Sequence, residues 1–140
     1  YPEKTAAVFT QNPLNTAFPE RIYRTGDLAR LNEKGEFIYI SRKDFQIKRM
    51  GYRIELGEIE AAAGSIEKVK SAAALYDADT GRILVIYEGS IKDTDEVLQQ
   101  TADKVPPYMR PDEVIRIKQM PYNANGKIDR QRLLKEYCGA

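Results

Sequence analysis

Arg82-Ile83-Leu84-Val85-Ile86-Tyr87 constrains the fold more than any other stretch, because an unbroken apolar run leaves neither face of an extended segment fit for water. It is expected to be the central strand of a sheet covered on both sides. Before it, Asp77-Ala78-Asp79-Thr80-Gly81 is a turn rich in residues that hydrogen-bond their own backbone, and Val69 to Tyr76 reads as another strand. Beyond it, Asp93 and Glu96 make a capping pair for a helix with Val97, Leu98, Thr101, Ala102 and Val105 on one face. Pro106-Pro107 stops that helix. Ile115 and Ile117 alternate with Arg116 and Lys118 in a half-exposed strand, Asn123 to Gly126 is a loop, and Asp129 caps a last helix carrying Leu133, Leu134 and Tyr137.

Upstream, Phe45, Ile47, Tyr52 and Ile54 flank Arg49-Met50-Gly51, a tight hairpin with a basic tip and a glycine that can take positive φ. Leu56, Ile59, Ala62 or Ala63, and Ile66 then recur at helical spacing. Residues 1–20 show no sustained period. Ile22 to Arg24 reads as a short strand, and Leu28 to Leu31 with Phe37 to Ile40 as a second hairpin that places Asp27 and Arg42 just outside strand ends. The patterns on either side of Lys43-Asp44 have different owners, and charges there are costly to bury. The expected class is therefore α+β: a small domain over residues 44–140 with a hairpin and a roughly three-stranded sheet flanked by helices. Residues 1–43 are expected to be β-structure belonging to a neighbour.

With 140 residues and 42% apolar composition, the chain has material for one ordinary core. Lys and Arg total 22 against 21 for Asp and Glu, and a net charge of +1 creates no field favouring nucleic acid or an anionic membrane. Lys48 and Arg49 beside Tyr52 lack the further aromatic interleaving of a nucleic-acid patch. No apolar run approaches the ~20 residues of a membrane span, and no signal-peptide pattern opens the chain, so a cytoplasmic protein is expected. The lone Cys138 has no internal partner and reads as an incidental thiol. There is no histidine, which removes the usual zinc sites and imidazole acid–base chemistry. No metal site is expected. Glu55, Glu58 and Glu60 read as first-turn carboxylates favoured by the helix dipole.

Four ordered motifs remain: Tyr23-Arg24-Thr25-Gly26-Asp27; Arg42-x-Asp44-x-Gln46-x-Lys48 with Gly51-x-Arg53-x-Glu55; Pro107-Tyr108-Met109-x-Pro111; and Asn125-Gly126-Lys127-Ile128-Asp129-Arg130. Together they resemble the C-terminal end of adenylate-forming (AMP-binding) enzymes, most closely amino-acid adenylation domains of nonribosomal peptide synthetases and D-alanine–carrier protein ligases. One departure is Ser41, where the family usually has glycine before the arginine. The resemblance implies an ATP-dependent ligase that activates a carboxylate, an amino acid in the first reading, as acyl-AMP with ATP and Mg2+. The acyl group would then pass to the phosphopantetheine thiol of a carrier protein. Free coenzyme A is the alternative acceptor, and a non-catalytic docking module the alternative from another class. The resemblance makes residues 1–43 the end of the large N-terminal adenylation domain and 44–140 a mobile subdomain. It implies that the piece alone is inactive, because the phosphate-gripping loop and the acyl pocket lie upstream.

The resemblance also implies roles. Thr25-Gly26-Asp27 is by itself a common turn, but the match makes Asp27 a ribose ligand, suited by its two acceptor oxygens, and puts Tyr39 and Arg42 beside the nucleotide. Asp44 matches the hinge of the moving domain. Gly51, Tyr52 and Arg53 match the hairpin that lines the pantetheine tunnel. Lys127 matches the catalytic lysine. A carboxylate attacking the α-phosphate brings two anions together, and an ammonium bridging them offsets about 4 kcal/mol per pair at 4 Å and an effective dielectric near 20. That is on the order of a thousandfold in rate.

Overall fold

The structure, a computed structural model, describes residues 2–139, apart from the side chains of Lys4, Ile40, Ser41 and Asp44. The chain divides into two units, Tyr1–Asp44 and Phe45–Ala140.

In the first unit, helix α1 (Pro2–Val8) leads into β1 (Phe9–Gln11), which pairs antiparallel with β2 (Arg21–Tyr23). A separate antiparallel ladder joins β3 (Asp27–Leu31) to β4 (Phe37–Arg42). Helix α1 is not expected from the sequence, and the reason is physical: seven residues starting at a proline, with no described side chain buried, leave no apolar period to read. Polar loop bonds do much of the local work. Asn15 and Asn12 donate to the Glu20 carboxylate at 2.8 and 2.9 Å and hold its pKa below the ordinary value. Asn32 Oδ1 accepts from the backbone N–H groups of Lys34 and Glu36, closing the β3–β4 turn. No described side chain before Phe45 is fully buried.

The second unit begins with a hairpin of β5 (Gln46–Arg49) and β6 (Tyr52–Glu55). Its two turn residues, Met50 and Gly51, have φ of 50° and 81°, the doubly left-handed geometry that matches the twist of a two-residue hairpin. Next come α2 (Leu56–Gly64), β7 (Val69–Asp77), β8 (Arg82–Gly89), α3 (Thr94–Lys104), β9 (Glu113–Ile117) and α4 (Arg130–Tyr137). The sheet order is β7-β8-β9, with β7 antiparallel and β9 parallel to the central strand. This is the α+β arrangement expected from the sequence.

Strand β8 is buried on both faces, as its composition requires. Ile83, Val85 and Tyr87 point into one cluster with Ile54 of the hairpin, Leu56, Ile59 and Ala63 of α2, and Val97 of α3. Leu84 and Ile86 point into the other, with Ala73, Leu75, Met120 and Leu133 of α4. The buried Tyr87 hydroxyl donates to the Ile91 carbonyl at 2.9 Å, which satisfies the one polar group that its burial strands. Asp93 caps α3 through the Asp95 N–H and Asp129 caps α4 through the Arg132 N–H, both at 3.0 Å. The expected reciprocal role of Glu96 is not observed; its carboxylate accepts from Gln100 one turn on, at 3.0 Å.

Candidate functional site

The β3–β4 ladder places Asp27 directly opposite Arg42, with Asp27 Oδ1 3.9 Å from Arg42 Nη1. Both therefore lie within the paired strands, not just outside them. The ladder runs further than side-chain alternation shows, because backbone pairing continues past the apolar residues; the Lys43 N–H still donates to the Gly26 carbonyl at 2.8 Å. A register shift between Leu28 and Ala29 makes Ile40 the extra residue on β4 and brings Tyr39 opposite Ala29. Asp27 and Arg42 are about two-fifths exposed and Tyr39 is also exposed, so all three can meet a ligand. The Asp27 N–H is itself held by Thr25 Oγ1 at 3.1 Å.

Asp44 sits in a 3₁₀ turn over Lys43–Phe45; its side chain lies outside the described residues. At the β5–β6 hairpin, Tyr52 stacks on Tyr108 with ring centroids 4.3 Å apart and planes 10° from parallel. Arg49 fixes the same tip to the body of its unit, its Nη2 reaching both Asp112 carboxylate oxygens at 2.7 and 2.8 Å. Asp112 in turn accepts from the Ile83 N–H at 2.8 Å, so the tip is tied to the central strand. Arg53 is exposed and stands directly across the ladder from the exposed Lys48. Like charges so placed repel, and an anion between them would relieve the repulsion.

Lys127 rides on a loop with its own internal bracing. The Asn123 N–H donates to the Lys127 carbonyl at 2.7 Å, and Asn123 Oδ1 accepts from the Asn125 and Lys127 N–H groups at 2.9 and 3.1 Å. Gly126 takes φ of 72°, which a side chain would resist. An isolated bridge between Tyr122 and Ile128 closes the base. The Lys127 side chain is exposed, and among the described residues no carboxylate forms an ion pair with it.

One part of the arrangement is not legible in the sequence. Of the three glutamates assigned to a first helical turn, only Glu58 lies there. Glu55 precedes the helix and accepts a bond from Gln46, while Glu60 pairs with Arg130 at 2.5 Å. No local pattern announces a pair so distant in sequence. A cavity of about 580 Å³ lined by Lys118, Met120, Tyr122, Arg132 and Tyr137 contains none of the expected site residues. Among the described residues no group of acidic, cysteine or histidine side chains could hold a metal ion, and no helix is long and apolar enough to cross a membrane.

Residues 58–127, half of the chain, match the AMP-binding enzyme C-terminal domain, and the chain belongs to that family of adenylate-forming enzymes. It is 40% identical over 136 residues to gramicidin S synthase 2 of Brevibacillus brevis, covering 94% of this chain and 3% of that one. Against tyrocidine synthase 3 of Brevibacillus parabrevis the identity is 37% over 139 residues, covering 96% of this chain and 2% of the relative. Among solved structures, a four-domain nonribosomal peptide synthetase bound to AMP and glycine superposes with a TM-score of 0.71 at 34% identity, over 93% of this chain and 10% of that one. The chain thus spans a small part of the synthetases it resembles.

Proposed function

We propose that this chain is the moving C-terminal part, with the last strands of the large domain, of a ligase that activates an amino acid as its adenylate and loads it onto a carrier-protein thiol. The observation that carries the reading is Lys127: an exposed ammonium on a braced loop, in a chain whose relatives are peptide synthetases. In this reading Lys127 bridges the attacking carboxylate and the α-phosphate of ATP, offsetting the charge that builds as they meet. Asp27 accepts from the ribose hydroxyls, with Arg42 and Tyr39 alongside. Magnesium would accompany the ATP phosphates in the full-length enzyme, and among the described residues no group of carboxylates is arranged to hold it.

Asp44 is the hinge in this scheme. Turning about it withdraws Lys127 and brings forward the Gly51 hairpin, whose Tyr52 and Arg53 line the path of the phosphopantetheine arm. The Tyr52–Tyr108 stack and the Arg49–Asp112 pair support this role, because they hold the tip in a fixed shape before any thiol arrives. The upstream adenylation domain supplies the acyl pocket, and the fragment alone is inactive. Amino-acid-dependent exchange of pyrophosphate into ATP, run with a panel of amino acids on the full-length protein, tests the reading. One or a few amino acids are expected to stimulate exchange, and no stimulation by any amino acid refutes it.

A further inference from the structure

Arg130 opens α4, three residues beyond Lys127, and its guanidinium touches three separate elements of the second unit. Its Nη2 lies 2.5 Å from Glu60 Oε2 on α2, and its Nη1 donates to the Ala74 carbonyl on β7 at 3.2 Å. The same plane lies 4.6 Å from the centroid of the Phe45 ring, which begins the second unit. Glu60 Oε2 also accepts from the Ala74 N–H at 2.9 Å, so one residue of β7 is gripped from both its donor and its acceptor. With side-chain exposures of 24% and 19%, the pair is shielded enough for its geometry to hold.

The bonds described for the Lys127 loop mostly run within the loop. The Asn123 contacts, the Asp129 N–H to Pro121 carbonyl bond and the Tyr122–Ile128 bridge set its shape, and at its entry the Met120 N–H donates to the Glu88 carboxylate on β8 at 2.8 Å. A long contact of 3.5 Å from the Tyr122 hydroxyl to Ser71 reaches β7. Arg130 supplies the strong polar tie at the other end of the loop. Ala74 is a firm attachment point, because it is buried and flanked in the sheet by Ala73 and Leu75. Arginine suits the task, since its planar fork can pair, donate and stack at once while a lysine point charge cannot.

We propose that Arg130, oriented by Glu60, is a positioning residue for adenylate formation: it holds the base of the Lys127 loop against β7 and the Phe45 ring. The inference rests on the reading of Lys127 given above. Displacements of about 1 Å in a positioned group lower rates by up to ~100-fold, so the effect is expected in turnover of one half-reaction and not in general folding.

The test uses the full-length protein with Arg130→Gln, Arg130→Lys and Lys127→Ala in parallel. Pyrophosphate–ATP exchange reports the first half-reaction, and thioester formation from supplied aminoacyl-adenylate reports the second. Arg130→Gln is expected to lower kcat for exchange by roughly 10- to 100-fold with little change in KM for ATP and with thioester formation retained; Arg130→Lys restores part of the loss. Equal losses in both half-reactions would make Arg130 a packing residue, and exchange unchanged in Arg130→Gln would remove its role altogether; either overturns the proposal while leaving Lys127 in place. Full exchange in Lys127→Ala overturns the underlying reading instead.

Discussion

In the second unit Ile83, Val85 and Tyr87 are fully buried, whereas in the first Leu14, Leu31 and Phe37 stand 93%, 61% and 80% exposed. The two regions are built from similar short strands and tight turns, yet only one encloses its apolar side chains. Burial accounts for the second unit: a central strand with both faces covered fixes which helices lie where. The first unit keeps its ladders by backbone bonds and asparagine-braced loops, and isolated two-stranded ladders are marginal in water. The proposed division of labour follows that contrast. Asp27, Tyr39 and Arg42 line a surface that needs a neighbour to hold it firm, while Lys127 and the Gly51 hairpin sit on a body that holds itself.

The sharpest way to break the comparison is to separate the regions. Residues 45–140 produced alone are expected to melt in one cooperative transition, and residues 1–44 alone to show none; a cooperative melt of the shorter piece contradicts the contrast. Within the second unit, Ile83→Ala empties a fully buried site and is expected to cost about 2–5 kcal/mol in denaturant unfolding. Arg49→Ala frees the hairpin tip from Asp112, at about 1–2 kcal/mol for a partly exposed charged pair.

Acid offers a finer probe. The Thr80 hydroxyl bond to Asp77 and the Lys70 bond to Glu88 hold both carboxyl pKa values below their ordinary range. A pKa depressed by folding contributes stability that is present above the unfolded value of about 4 and is lost as pH falls through the folded value. Melting temperature is thus expected to fall with pH below about 4, and Asp77→Asn to reduce that dependence. Smallest is Phe37→Ala, expected to lie within about 0.5 kcal/mol of the parent in this chain. A larger loss would show that Phe37 is packed after all.

The same contrast explains what can be read from sequence. Ile83 to Tyr87, the Asp129 cap and the Met50-Gly51 turn are legible because burial, capping and positive φ each leave a local residue signature. Helix α1 leaves none, being short and without a described buried face. The β3–β4 ladder runs past the expected strands by one residue on β3, Asp27, and by two on β4, Ser41 and Arg42, since backbone pairing is indifferent to the side chains that reveal strands. The Lys127 loop is legible as a motif, but its tie through Arg130 and Glu60 is not. That tie exists only once α2, β7 and α4 have packed.

The central claim is that Lys127 serves one half-reaction and the hairpin on the same unit serves the other. Lys127→Ala in the full-length protein tests it most directly, with pyrophosphate–ATP exchange and thioester formation from supplied adenylate measured side by side. Exchange is expected to fall on the order of a thousandfold while thioester formation persists; an equal fall in both would contradict the account.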